Sequence, residues 1–373
     1  MREIGIGLIG TGFMGQAHAL AYTNAASVLG GSLRPVLQRV ADVSGPAAMA
    51  FAAQYGFRSC GTAWREVVAD PAVGIVCITT PNTLHREIAL AAASAGKHIH
   101  CEKPLAPDAR EALEMTEAAE ATGVRTQVGF NYLKNPVLKL AREMIAGGEL
   151  GEITGFRGIH AEDYMIDPES PFSWRLEKEG GPGALADLGS HIIAMARFLV
   201  GPIESLTADL ETVVASRPES KGAGKRRRVE VNDAARLIVR FARGCRGSLE
   251  ASWVATGRKM HLAFEVSGSK GSLVFTQERL NELLFYKVGG DPRHAGFTRI
   301  EAGPQHPPYG RFCVAAGHQL GFNDLKVIEA AEFLAAIAGG PAAGPDFREA
   351  YEVQKVVDAA VAASEAGGWR KVG

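Results

Sequence analysis

The sequence lacks the features of secreted, membrane-spanning or nucleic-acid-binding proteins. Its five cysteines are widely spaced in 373 residues and form no CxxC or Cys/His pair, so we expect neither disulfides nor a metal site. No apolar run reaches the roughly 18 to 20 residues that span a bilayer. The short apolar run at residues 1–10 meets a glycine-rich turn and has no charged region or cleavage site typical of a signal peptide.

The charges also lack a dominant sign. Lys and Arg (40) nearly balance Asp and Glu (41), which provides no field to attract nucleic acid or a membrane surface. The basic stretch KGAGKRRR at 221–228 is short and lies between two predicted strands, so we interpret it as a solvated hairpin loop. We therefore expect a cytoplasmic protein whose partner is a small molecule.

The length favours two domains, since a single core rarely grows beyond about 250 to 300 residues, and two domains invite a cleft between them. Up to residue 129, short apolar runs alternate with Ala-rich helical stretches, which predicts an α/β domain with a parallel sheet. The predicted strands are EIGIGLIG, PVLQRVAD, GIVCITT, HIHCE and RTQVGF.

The pattern changes after residue 130. A helix at 136–147 and a glycine-bounded helix near 183–199 accompany long strands with period-two alternation, which predicts an α+β domain at 130–345 with a large, mostly antiparallel sheet. An amphipathic helix at about 347–365, within residues 346–373, closes the structure. Apolar residues such as Leu237, Val239 and Phe241 share one sheet face, and one helix layer cannot cover both faces. We therefore expect an open face that makes a homodimer or homotetramer.

A glycine-rich loop directly follows the first predicted strand and leads into a helix. In Gly10-Thr11-Gly12-Phe13-Met14-Gly15, the first glycine suits a tight turn, the second lets the backbone approach a pyrophosphate, and the third lets helix and strand pack closely. The helix N-terminus can then bind a diphosphate. The loop predicts a Rossmann dinucleotide site.

The second predicted strand ends in Asp42, whose carboxylate would accept hydrogen bonds from ribose hydroxyls and repel a 2′-phosphate. This position favours NAD over NADP. Its distance from Gly15 exceeds the usual spacing, which we attribute to an inserted turn at Gly30-Gly31. The alternative is that Arg39 reaches the strand end and accepts a 2′-phosphate, although a structural role within the strand is favoured.

Two further segments carry a resemblance: TTPNTLHREIALAAASAGKHIHCEKPL at 79–105 and GGPGALADLGSH at 180–191. With the glycine loop, they resemble the Gfo/Idh/MocA oxidoreductases, the glucose-fructose oxidoreductase and inositol dehydrogenase family. The segment at 240–275 is similar to that family's second-domain sheet, so the resemblance covers nearly the whole chain. The DPESPFSWR segment is most similar to the branch with levoglucosan, scyllo-inositol and L-glucose dehydrogenases.

The resemblance implies roles for particular residues. Lys103 of the EKP motif would lie beside the nicotinamide and substrate, and Asp187 and His191 match the family's DxxxH pair. Together they would be the catalytic residues. The implied cofactor contacts are Gly10, Gly12, Phe13, Met14, Gly15, Asp42, Thr80, Pro81, Asn82, His85, Glu102 and Lys103.

The residue chemistry agrees with this assignment. Residues four apart on a helix share one face, so Asp187 can support the imidazole of His191. Oxidising a secondary alcohol needs a base for the hydroxyl proton, and histidine titrates near neutral pH. Lys103 can bind the hydroxyl and stabilise a developing alkoxide. The predicted activity is an NAD-dependent dehydrogenase acting on a secondary ring hydroxyl of a sugar, anhydrosugar or cyclitol.

Substrate contacts are less sharply specified. Family members often carry Arg where this chain has Asn131 and Tyr132, so its polyol contacts should differ from those of inositol dehydrogenase. The alternatives for function are a family member that keeps its NAD bound through turnover, as an oxidoreductase or a glycosidase, and a sugar-sensing regulator without catalysis. The candidate substrate residues are Asn131, Tyr132, His160, Glu162, Arg175 and His318.

Overall fold

A computed structural model describes residues 1–222 and 224–373. Contacts divide the chain into two units: the first comprises Met1–Lys134 and Leu320–Glu352, and the second comprises Asn135–Gln319 and Val353–Gly373. This division departs from the predicted bounds of 1–129, 130–345 and 346–373. Residues 320–345 cluster with the N-terminal residues, and the helix Phe347–Ala366 is divided between the two units. No helix of the described residues is long and apolar enough to cross a bilayer.

The first 134 residues alternate strands and helices as predicted. The sheet is wholly parallel in the order β3-β2-β1-β4-β5-β6, so the strand order reverses between β1 and β4. In such sheets, ligands bind outside the carboxyl ends of the strands at this switch point. The elements are β1 (Arg2–Ile9), α1 (Phe13–Leu29), β2 (Leu33–Ala41), α2 (Gly45–Tyr55), β3 (Ser59–Gly61), α3 (Trp64–Ala69), β4 (Val73–Ile78), α4 (His85–Ser94), β5 (His98–Cys101), α5 (Ala109–Thr122) and β6 (Thr126–Val128).

The described residues 135–222 and 224–319 supply two α-helices and ten strands. The predicted helices are confirmed, and a π-helical turn at Leu185–Gly189 leads directly into the second of them. The elements are α6 (Pro136–Ala146), β7 (Ile153–Ala161), α7 (Ser190–Leu199), β8 (Ile203–Glu211), β9 (Ser216–Pro218), β10 (Arg226–Arg228), β11 (Ala234–Phe241), β12 (Arg246–Ser252), β13 (His261–Gly268), β14 (Gly271–Thr276), β15 (Glu282–Lys287) and β16 (Thr298–Glu301).

The chain ends with α8 (Phe322–Ile337), α9 (Phe347–Ala366) and β17 (Arg370–Lys371). Sequence reasoning missed α8. Apolar residues occur all around this helix, which is typical of a buried helix rather than an amphipathic one, and Leu325, Ile328 and Phe333 are at most 1% exposed. It packs against α1. This packing is why residues 320–345 belong to the first unit.

The second unit is built on a nine-stranded sheet in the order β16-β15-β14-β13-β7-β12-β11-β8-β17. Only the β7–β12 pair is parallel, so the predicted mostly antiparallel sheet is confirmed. Along β11, Leu237, Val239 and Phe241 are buried, while Arg236 and Ile238 on the opposite face are exposed. The helices α6 and α7 pack within this unit against β15, β7 and β12.

The basic stretch at 221–228 forms part of a hairpin, in which β10 pairs with β9. The prediction of a loop needs one correction, since Arg226–Arg228 are a strand, and Ala223 lies outside the described residues. Arg226 bonds to Glu169 at 2.8 Å and Arg227 to Glu177 at 2.8 and 2.6 Å. These arginines are exposed and paired within the chain.

Candidate active site

The glycine loop after β1 has the backbone form that a dinucleotide site requires. Gly10 has a φ of +100°, and a Cβ there would lie 2.7 Å from the Thr79 carbonyl oxygen. A Cβ on Gly15 would clash with the carbonyl oxygen of Gly10, whereas one on Gly12 would meet no atom within 4 Å. Gly10 and Gly15 thus serve the fold, and Gly12 leaves open space where α1 begins. That space, beside the free N–H groups of a helix N-terminus, fits a diphosphate.

Asp42 lies directly after β2 and is bonded to this loop. Its Oδ2 accepts hydrogen bonds from Thr11 N at 2.9 Å and Thr11 Oγ1 at 2.6 Å, and its Oδ1 accepts from Ser44 N at 3.0 Å. Burial opposes ionisation, but these three hydrogen bonds together hold the pKa of Asp42 below its ordinary value. The long spacing from Gly15 arises because α1 runs to Leu29 and is followed by two positive-φ glycines.

Arg39 is paired with carboxylates of the first unit. Its guanidinium donates to Glu66 Oε2 at 2.6 Å and lies 3.9 Å from Asp70 Oδ2. These pairs favour a structural role for Arg39 over contact with a 2′-phosphate.

The segment after β4 is connected to the EKP segment by His85. The ring is fully buried, with Nε2 3.0 Å from the Thr80 carbonyl oxygen and Nδ1 3.1 Å from that of Pro104. Burial lowers the pKa of His85, so the neutral ring donates from one nitrogen at a time. Asn82 begins a 3-10 turn and is buried, and the hydroxyl oxygen of Thr80 is buried without a hydrogen-bond partner in the described part of the chain. An unsatisfied hydroxyl fits a position that meets a ligand.

The EKP segment follows β5. Glu102 is 4% exposed and its Oε1 lies 2.7 Å from both His18 Nε2 and Lys326 Nζ. Lys103 is half-buried. Glu102 is therefore bound by other side chains of the first unit.

Two of the candidate substrate residues belong to a 3-10 turn at Asn131–Lys134. Asn131 is 2% exposed, and its Nδ2 has no hydrogen-bond partner among residues 1–222 and 224–373. The Tyr132 ring lies 6.2 Å from that of Phe322, which stacks on Phe13 of the glycine loop at 5.6 Å. Phe13 itself is 68% exposed.

The predicted DxxxH pair lies where the π-helical turn meets α7. Asn232 fixes the start of this turn, because its Oδ1 accepts from Leu185 N at 3.0 Å and its Nδ2 donates to the Pro182 carbonyl. Asp187 lies inside the π turn and His191 in the first turn of α7. π-helical turns occur frequently at functional sites.

Asp187 is held by two side chains from other segments. Its Oδ2 accepts a hydrogen bond from the Tyr164 hydroxyl at 2.7 Å and lies 3.4 Å from Arg175 Nε. Burial, followed by the adjacent carboxylate charge, raises the pKa of Tyr164, so the phenol stays neutral and donates. Tyr164 packs edge-on against the buried Trp253 at 6.2 Å.

His191 is 5% exposed and meets the His160 ring edge-to-face at 5.4 Å. His160 stands at the end of β7, and its Nδ1 donates to the Leu188 carbonyl at 3.1 Å, since a carbonyl only accepts. Its Nε2 lies 3.2 Å from Glu162 Oε1. The second unit thus brings Asp187, His191 and the predicted residues His160, Glu162 and Arg175 into one contiguous group.

His318 is not linked to this group by a hydrogen bond among the described residues. It is exposed in the loop before α8. Conversely, Tyr164 and Lys326 escaped sequence reasoning. Tyr164 lies two residues after Glu162, and side chains two apart in an extended segment point to the same side, so this spacing could have identified Tyr164 as a site residue. No local pattern distinguishes Lys326 from other helical lysines.

A parallel sheet with a glycine loop at its switch point, followed by an acidic residue after β2, defines a dinucleotide-binding domain. The family described as "Oxidoreductase family, NAD-binding Rossmann fold" matches residues 4–130, and "GFO/IDH/MocA C-terminal domain" matches residues 138–274. The chain belongs to the GFO/IDH/MocA family, as its resemblance implied. It is an NAD-dependent oxidoreductase.

The chain is similar to particular relatives over its full length. It is 38% identical to levoglucosan dehydrogenase from Pseudarthrobacter phenanthrenivorans over 99% of this chain and 98% of that protein. The solved levoglucosan dehydrogenase in complex with NADH and levoglucosan is 39% identical, with a TM-score of 0.96 and 100% of both chains covered. An inositol dehydrogenase homologue from Azotobacter vinelandii, complexed with NADH and myo-inositol, is 25% identical with a TM-score of 0.83, covering 99% of this chain and 98% of that one.

Proposed function

We propose that this enzyme oxidises a secondary ring hydroxyl of a sugar, anhydrosugar or cyclitol. The observation that carries the proposal is the group around α7, in which a carboxylate and an imidazole are surrounded by further polar side chains suited to a polyol. The similarity to levoglucosan dehydrogenase over the full length of both chains favours an anhydrosugar. NAD, when bound, accepts the hydride.

The catalytic roles follow from the side chains available. His191 removes the hydroxyl proton, because an imidazole is a base near neutral pH. Asp187 supports the imidazole, and its own position is supported by Tyr164 and Arg175. Lys103 binds the hydroxyl oxygen and stabilises negative charge as the proton leaves.

The cofactor contacts proposed in the first unit are the glycine loop, Asp42 and the segments that carry Thr80 and Lys103. The open space at Gly12 and the unpartnered Thr80 hydroxyl fit such a ligand. The buried ring of His85 contacts both loop segments there and donates a hydrogen bond to a carbonyl of one of them.

Asn131, Tyr132, His160, Glu162 and Arg175 are proposed to bind the substrate. The amide of Asn131 supports its assignment, since Nδ2 lacks a partner in the described chain. His318 has only its polar character in its favour.

A panel of anhydrosugars, aldoses and inositols tests the activity with free NAD. Accumulation of NADH, followed by absorbance, with a member of the panel and its absence with the Lys103→Ala variant would support a simple dehydrogenase. A bound cofactor that cycles without free NADH would instead indicate an enzyme that retains its NAD. Binding of sugar and NAD without any turnover would indicate a sensor.

We also propose that a second copy covers the open sheet face and gives a dimer or tetramer. This face carries Ile238, which is 47% exposed, beside charged pairs such as Arg157 with Glu265 at 3.4 Å. Light scattering of Ile238→Asp should then give a smaller mass than the wild type. Val213→Asp is the matched control, at 49% exposure and off this sheet. A wild-type monomer at micromolar concentration would contradict the proposal.

A cytoplasmic location is part of the same proposal. Five free cysteines suit a reducing compartment. Fractionation of cells that produce the full chain would test it.

A further inference from the structure

The first unit contains a cluster of five buried titratable side chains. His18 comes from α1, His100 from β5, Glu102 from the segment after β5, and Lys326 and Glu329 from α8. None is more than 4% exposed. Lys326 Nζ donates to Glu102 Oε1 at 2.7 Å and to Glu329 Oε2 at 2.6 Å, so one ammonium links two carboxylates.

The charges in this cluster are fixed by burial and by one another. Burial lowers the pKa of His18 to about 3 and also lowers that of His100, so both rings are neutral at pH 7. Burial also disfavours ionisation of the other three groups, but Lys326 holds the pKa values of both glutamates low, and the glutamates raise its own. Lys326 is therefore the cation that permits Glu102 to stay ionised inside the unit.

A role in packing alone does not explain such a cluster. Removing charges from water is costly, and well-packed apolar side chains generally stabilise a core at least as well as a buried ion pair. A metal site does not explain it either. His18, Cys77 and His100 have ligand atoms within 4.8 Å of one another, but the Lys326 ammonium lies 3.3 Å from His18 Nε2 and would repel a cation.

Glu102 connects the cluster to Lys103, the next residue in the chain. Its Oε1 is bound by His18 and Lys326, while its Oε2 lies 3.4 Å from the backbone N of Lys103, which donates to it. The carboxylate has no room to move toward β6, since a Cβ on Gly129 would clash with it. On the other side of Lys103, His85 binds the Pro104 carbonyl. The backbone is thus fixed on both sides of Lys103.

We propose that Lys326 is a positioning residue for this reaction, which acts through Glu102 to hold the backbone that carries Lys103. The inference rests on the proposed catalytic role of Lys103. It assigns a function to a helix that lies more than 200 residues away in sequence, and it separates Lys326 from residues that touch the substrate.

The test is steady-state kinetics of the full-length Lys326→Met variant with the best substrate of the panel. We expect kcat to fall by about tenfold to a hundredfold, because a displacement near 1 Å at a reacting group has effects of this size. The affinity for NADH, measured by fluorescence, should change by less than about threefold, because the glycine loop is untouched. A merely structural role would lower the melting temperature and leave kcat per folded enzyme unchanged, which would overturn the proposal.

Lys97→Met is the matched control. Lys97 also belongs to the first unit, and its ammonium donates to the carbonyls of Asp70 and Val73 at 2.9 and 2.7 Å. Lys97 directly precedes β5, whereas Glu102 follows the other end of that strand. This variant should lose stability and keep kcat. An equal loss of kcat in Lys97→Met and Lys326→Met would overturn the proposal, since the loss of any lysine that bonds within the first unit would then suffice.

A double-mutant cycle with Glu102→Gln tests the route, and it is measured in a Glu329→Gln background so that Lys326→Met leaves no buried carboxylate without its cation. If Lys326 acts through Glu102, adding Lys326→Met to Glu102→Gln should change kcat by less than about twofold, because coupled residues are not additive. A further loss of about tenfold would overturn the route. The Lys103→Ala variant separates failure of the proposed function from failure of this inference. Full activity of Lys103→Ala would refute the catalytic role of Lys103. An inactive Lys103→Ala beside a fully active Lys326→Met would refute only the positioning role of Lys326.

Discussion

Replacing Asp42 by asparagine should reduce the preference of the enzyme for NAD over NADP. The carboxylate is fixed against the glycine loop by Thr11 and Ser44 through hydrogen bonds of 2.6 to 3.0 Å, so it cannot swing away from an added phosphate. A like-charge pair at 4 Å costs about 4 kcal/mol at an effective dielectric near 20. Asp42 is half-buried, so solvent screening reduces this to about 1 to 3 kcal/mol.

That energy corresponds to a preference of roughly fivefold to 150-fold. We expect the wild type to prefer NAD by at least about tenfold, which corresponds to about 1.4 kcal/mol. The assay compares kcat/KM for NAD and NADP with one substrate, before and after Asp42→Asn. The ratio should fall by roughly fivefold or more in the variant. Because the pKa of Asp42 is lowered, its carboxylate stays ionised at pH values below the ordinary carboxyl range. A phosphate monoester loses its second proton at about pH 6, so the wild-type ratio should stay constant from about pH 7 to about pH 9, where both groups are fully ionised.

Arg39→Ala is the control for the alternative assignment. Arg39 is paired with Glu66 and Asp70, so its removal should leave the cofactor ratio unchanged. Equal wild-type efficiency with both cofactors would refute the reasoning about Asp42. Selective loss of NADP activity in Arg39→Ala would show that the guanidinium binds the 2′-phosphate.

Three further predictions concern the α7 group and the buried cluster. His191→Ala should lower kcat by about a hundredfold to ten-thousandfold with little change in NAD affinity, and Asp187→Asn should lower kcat by less. A near-normal kcat for His191→Ala beside an inactive Lys103→Ala would make Lys103 the base. Tyr164→Phe removes one hydrogen bond to Asp187 but keeps the ring, so kcat should fall by only about threefold to tenfold, and no change would exclude this contact from catalysis. Burial raises the pKa of Glu329, but the charge of Lys326 outweighs this effect and holds that pKa at about 2, below the ordinary 4.5. The ionised Glu329 carboxylate therefore contributes stability above pH 4.5, and this stability is lost as the pH falls toward 2. Thermal unfolding of Glu329→Gln should therefore depend less on pH in this range, and an unchanged dependence would contradict the assignment.

Features encoded by short spacings were predictable. The glycine loop and Asp42 depend on local backbone geometry, so their order and spacing along the chain indicate them. The DxxxH pair was implied by the family resemblance. Alternating apolar residues likewise indicated the strands β11 to β14 and their buried face, because side chains on a strand alternate between its two sides. The glycine loop and strands were confirmed by the structure, while the catalytic roles stay predictions.

The sequence by itself thus determined the two kinds of domain, the dinucleotide loop and the helix that carries the catalytic candidates. Only the tertiary structure decided which partners these residues have. Lys326 reaches Glu102 across 224 positions, and Tyr164 reaches Asp187 across 23. The π-helical turn beside α7 is fixed by Asn232, 47 positions from Leu185. The physical reason is that spacing encodes hydrogen bonds within a turn or strand, whereas the partner of a buried charge is chosen by whichever distant element packs against it.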